Sequence, residues 1–172
     1  MNSNEENIPT QLMLTEIVAR MRLWLDRAIH CIDQLDETQI WYRPNDSSNA
    51  IGNLILHLVG NLHQWILGGI DNQEDVRNRP AEFNARSGHT KQQLRDLLKD
   101  TVGKCCSIIE KMPLSRVTEV RRIQDMNATL AFALVMAVSH LGLHVGQIQY
   151  IGKMLLAEGY VESWKPLETN SK

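Results

Sequence analysis

A chain of 172 residues, 43% hydrophobic and 22% charged, has the size and composition of one compact domain with its own core. A formal net charge of −2 without any Lys/Arg-rich block argues against nucleic acid as a partner. Cys31, Cys105 and Cys106 are odd in number and lack a C-x-x-C, and the polar start MNSNEENIPT is no secretory signal; reduced thiols in the cytoplasm are the simpler expectation.

The first predicted helix runs from about Thr10 to Leu35. Leu14, Ile17, Val18, Met21, Trp24, Leu25, Ala28, Ile32 and Leu35 recur at helical spacing, while Glu16, Arg20, Arg27 and Asp33 avoid that stripe. The second begins after PNDSSN, with Ser48 or Asn49 as its cap, and stops near Leu67 before Gly68-Gly69. DNQEDVRNRPAEFNARSGH then reads as a long polar connection holding Pro80 and Gly88. The third helix starts at a capping box, Thr90 with Gln93, and ends at Pro113. VTEVRRI (Val117 to Ile123) alternates like a strand, but is too short and isolated to build a sheet. The fourth helix spans about Ala128 to Ala157, with Gly159 as its stop, and the tail YVESWKPLETNSK is non-periodic. The pattern predicts an all-α four-helix bundle occupying residues 1–172 as one domain.

The fourth helix has no Asp, Glu, Lys or Arg from Ala128 to Gly152, long enough to be weighed as a membrane span. Ser139, His140, His144, Gln147 and Gln149 in its second half favour a central bundle helix instead, with no membrane partner. His140 and His144 are offset by about 40° around a helix axis and about 6 Å along it, so both point from one face. That spacing alone is a weak sign of metal. His57 strengthens it, because Asn53, Gly60, Asn61 and Gln64 surround it at helical spacing as a polar strip on an apolar helix. His140, His144 and Gln147 form a matching strip on the fourth helix. Two facing strips can bring three neutral imidazoles to one divalent ion and leave a coordination position open. Asn53, Asn61 or Gln147 are candidates to take the N–H bonds that fix the imidazole tautomers, and neither strip offers a carboxylate as general base.

The other candidates read as structural. His63 lies off the His57 face, His30 off the main stripe of its helix, and His89 in a polar loop. Cys105 and Cys106 are expected to be buried and inert, and Trp24, Trp41, Trp65 and Trp164 to be packing residues. A pair of loop arginines, Arg77 and Arg79, can bind an anionic substrate or thiol cofactor, although a solvated loop is the default. Gly142 and Gly146 offer a small-residue face to another helix, internal or from a dimer mate.

SNAIGNLILHLVGNLHQWI, followed later by HLGLHVGQIQYIGKML, resembles the DinB-like (YfiT-like) superfamily of metal-dependent four-helix proteins. WYRPN, the GG stop and RNRPAEF extend the likeness over nearly the whole chain. The resemblance implies a four-helix bundle with a divalent metal, commonly zinc or nickel, on three histidines that map to His57, His140 and His144. It also implies a homodimer, and chemistry of the family's hydrolase or thiol S-transferase kind, the thiol being mycothiol, bacillithiol or glutathione. No thiol-binding residue can be matched here. The alternative is a dimeric bundle that binds metal or a small ligand without turnover.

Overall fold

The computed structural model describes residues 3–164; most of the non-periodic tail lies outside them. Among the described residues are six α-helices: α1 (Ser3–Asp33), α2 (Glu37–Ile40), α3 (Ile51–Leu62), α4 (Arg79–Asn84), α5 (Lys91–Lys111) and α6 (Leu130–Leu156). The long helices α1, α3, α5 and α6 make an all-α bundle. Helix α1 packs on α5 and α6, and α3 packs on the same two, so α1 and α3 stand at opposite corners. The apolar stripes meet at the centre, where Met21, Ile32, Ile55, Leu58, Leu62, Leu94, Leu98, Leu134 and Leu141 are fully buried.

Helix α5 starts where its capping box predicts: Thr90 Oγ1 accepts the Gln93 N–H at 3.2 Å, and Gln93 Oε1 accepts the Thr90 N–H at 2.9 Å. The start of α3 differs from expectation. Its cap position is Ala50, whose N–H donates to Asn53 Oδ1 at 3.1 Å. Ser47 and Ser48 instead donate to Asn45 Oδ1, closing the preceding loop on itself. Helix α3 continues into a π-helical turn, His63–Gly68, before the two glycines.

Two segments outside the four predicted helices are ordered. Val120–Ile123 (β1) pairs antiparallel with Met126–Thr129 (β2), correcting the expectation that this stretch has no partner. The turn residues Gln124 and Asp125 both have positive φ, 50° and 62°, the geometry of a tight hairpin turn made without the usual glycine or asparagine. Ile123 then packs its side chain where a β-carbon on Gly69 would sit. The second ordered segment is α4, inside the supposed polar connection. Asn78 Oδ1 accepts the Ala81 N–H at 3.2 Å as its cap, and Pro80 lies in the first turn, where the missing N–H costs no helix bond.

By length and composition α6 would pass for a membrane-crossing helix, and only 33% of its most apolar window is buried in the fold, so it is not the central, enclosed helix that the sequence led one to expect. One face meets α1 and α3. Gly142 belongs to that face: the Trp24 ring lies 2.9 Å from where its β-carbon would be. Gly146 faces open space. The small-residue pair thus divides between an internal contact and a free surface.

Candidate metal centre

His57 projects from α3, and His140 and His144 from α6. Helices α3 and α6 are packed neighbours, so the two polar strips face each other. His57 Nε2 lies 2.9 Å from His140 Nε2, and His144 Nε2 lies 3.1 Å from the same atom. The three donor nitrogens fall within 4.8 Å of one another, a group able to hold a metal ion. His57 is buried and the other two are half-buried.

Outer partners set two of the tautomers. His57 Nδ1 is 2.9 Å from Glu82 Oε2. A carboxylate only accepts, so His57 Nδ1 carries the proton, and Arg77 Nη2, 3.1 Å from that nitrogen, can then donate only to Glu82. Both N–H groups therefore point at Glu82, and His57 Nε2 keeps its lone pair. His144 Nδ1 donates to Gln147 Oε1 at 2.7 Å, which leaves His144 Nε2 a lone pair as well. Two lone pairs aimed at His140 Nε2 need a positive centre between them. A single proton on His140 Nε2, shared between two acceptors, is one answer. A cation bound by all three nitrogens is the other, and a spacing near 3 Å suits nitrogens each about 2.0–2.1 Å from one ion.

Glu82 is held in place by a buried network. Arg77 donates to it through Nε at 2.7 Å and through Nη2 at 3.0 Å. The Arg77 side chain is only 5% exposed and that of Glu82 8%. Burial pushes the Glu82 carboxyl up, but the bonds from His57 and Arg77 outweigh it and leave it below the usual carboxylate range. Gly60, three residues past His57, leaves the space the Glu82 carboxylate occupies. Asn53 secures the segment from the other side: its Nδ2 donates to Glu82 O at 2.8 Å and to Ala85 O at 2.9 Å, while its Oδ1 accepts from Arg43 at 2.6 Å. Phe83 lies against His57, ring centroids 4.7 Å apart.

The two α6 imidazoles are kept neutral. Burial, followed by the nearby His144, His57, Arg77 and Arg79, pushes His140 down to about 4. Burial also lowers His144, against the bond to Gln147. Neutral rings are what ligation requires.

The structure brings His57, His140, His144 and Gln147 together. Asn53 acts one step away, on the segment that carries Glu82, and makes no bond to an imidazole. Asn61 is buried with its Oδ1 unpartnered and bonds no imidazole either. Two corrections concern residues misjudged in sequence. Arg77 is not solvated but ion-paired and buried, and the His57 strip does meet a carboxylate, Glu82, supplied by α4. The cap-and-proline signature of Asn78 and Pro80 was the signal that a helix, and not a loop, carries it. His30 bonds Val161 O at 2.7 Å, and His63 and His89 lie outside the cluster. The three cysteines are free and buried; burial pushes the Cys31 thiol up to about 11 and raises Cys105 and Cys106 too, so none is activated.

The helical bundle that carries these imidazoles has the fold of the DinB-like proteins. Residues 10–168 match the family described as "Protein of unknown function (DUF1572)", to which the chain belongs. The crystal structure of YjoA, a DinB-like protein from Bacillus subtilis, is similar over 86% of this chain and 94% of that one, with a TM-score of 0.64 and 18% identity. At that identity the likeness is one of fold. No curated protein matches.

Proposed function

We propose that this chain is a metal-dependent enzyme in which His57, His140 and His144 hold a divalent ion, zinc or nickel, and that it acts as a hydrolase or a low-molecular-weight-thiol S-transferase. The observation that carries the reading is the convergence of three Nε2 atoms, two of them with lone pairs fixed inward by Glu82 and Gln147. A divalent ion there supplies Lewis acidity, which lowers the pKa of a water or thiol brought to it. The protein's own part is positional. Both Glu82 oxygens are taken, by Arg77 and His57, so Glu82 orients and polarises His57 and does not shuttle protons. The three buried free thiols support a reducing compartment such as the cytoplasm.

The test is a screen of the zinc- and nickel-loaded protein with bacillithiol, mycothiol and glutathione against electrophilic acceptors, and with chromogenic esters. Turnover that requires metal and disappears in His140→Ala supports the reading. Stoichiometric metal without turnover in any arm leaves the non-catalytic binding bundle.

We also propose a homodimer through α6. Phe132, Val135, Leu143, Tyr150 and Met154 are exposed at spacings that put them on one stripe, with Gly146 open between them. The stripe carries no charge before Lys153. A two-fold interface must match itself, and an uncharged apolar stripe does so without opposing like charges.

A further inference from the structure

Among the described residues, Arg79 is a free cation beside the imidazole cluster. Arg77, two residues earlier, spends its charge on Glu82. Among the described residues no carboxylate pairs with Arg79, and its side chain forms no hydrogen bond there. It is nonetheless placed: its guanidinium carbon lies 5.0 Å from the centroid of the Phe83 ring. That ring in turn lies 4.7 Å from the ring of His57. One aromatic side chain therefore touches both a metal-ligand candidate and an unpaired, exposed guanidinium. A guanidinium resting on an aromatic ring keeps its N–H edges free for a planar, bidentate acceptor.

We propose that Arg79 is the residue that selects the substrate's charge, and that the ligand of this site is a small molecule with a carboxylate bound by Arg79 and a second group directed at the three imidazoles. This rests on the metal reading above. One free guanidinium matches one negative charge. A phosphate dianion would call on a second cation, and Arg77 is already neutralised by Glu82. Phe83 fixes the direction of the fork, so the carboxylate must approach along the wall formed by α4.

The test uses the cobalt-loaded protein and two thiols that differ only in charge, 3-mercaptopropionate and 3-mercaptopropionamide, titrated by the thiolate-to-cobalt absorption band. Wild type should bind the carboxylate roughly tenfold more tightly than the amide. Arg79→Ala should bind the two alike at unchanged cobalt stoichiometry. Arg79→Lys should keep part of the preference, and Arg22→Ala, on α1 at the corner opposite α3 and paired with Glu110, all of it. Equal affinity in wild type, or a preference that survives in Arg79→Ala, overturns the assignment while leaving the metal site standing. Failure of the wild type to take up cobalt overturns the metal reading, and this assignment with it.

Discussion

The Glu82 carboxylate occupies the space that a β-carbon on residue 60 would need. Gly60 is thus a matter of clearance. Gly60→Ala should push Glu82 off His57 Nδ1 and weaken metal binding by roughly 10–100-fold, the usual cost of losing an outer partner of a ligating imidazole. Helix content by circular dichroism should be little changed. Metal affinity equal to wild type would show that the carboxylate contributes nothing to the site.

Removing the carboxylate itself should cost stability as well. Glu82→Ala leaves Arg77 buried without a counter-charge, which typically destabilises by about 3–5 kcal/mol. Adding Arg77→Ala should recover part of that loss, because the uncompensated charge goes with it. Urea unfolding of the two single variants and the double variant gives the coupling. Purely additive losses would mean that the pair does not act as a unit.

The ligand set is separable from its neighbours. His140→Ala should abolish stoichiometric metal uptake, since His140 Nε2 is the atom both other rings approach. His63→Ala should leave uptake intact, because His63 sits in the π-helical turn outside the cluster. Metal analysis of the two purified variants decides the matter.

The metal-free protein should lose stability on mild acidification. Burial holds His140 at about 4 in the fold against an ordinary 6.5. Between those values the unfolded chain binds a proton that the folded one refuses, so stability is complete above about pH 6.5 and is lost as pH falls toward about 4. His144, also lowered by burial, acts in the same direction. Urea midpoints from neutral pH downward should fall less steeply in His140→Ala than in wild type. Parallel slopes would refute the linkage.

Sedimentation equilibrium should show wild type at twice the 19.6 kDa chain mass. Tyr150→Lys puts a charge on each side of the α6 stripe and should shift the protein toward monomer. A wild type that sediments as monomer at micromolar concentration removes the dimer.

The bundle and its three histidines were legible in the sequence because both follow from helical periodicity. Apolar stripes mark the four long helices, and polar interruptions on two of them mark the imidazoles. Glu82 was not legible that way. It sits on a helix of six residues, too short to show a period, in a segment whose composition is that of a loop. The same shortness hid the hairpin, whose turn uses Gln124 and Asp125. The cap of α3 escaped because the capping group, the Asn53 side chain, comes from inside the helix and not from before it.

The contacts that define the cluster join residues 25 and 83 positions apart in the chain. No contiguous fragment short of that span can assemble it, since the loops must close before the nitrogens meet. Metal uptake therefore reports the completed chain topology and not the presence of helices. A misfolded or truncated product can be fully helical and still bind nothing, so titratable metal is a stricter measure of correct assembly than helix content.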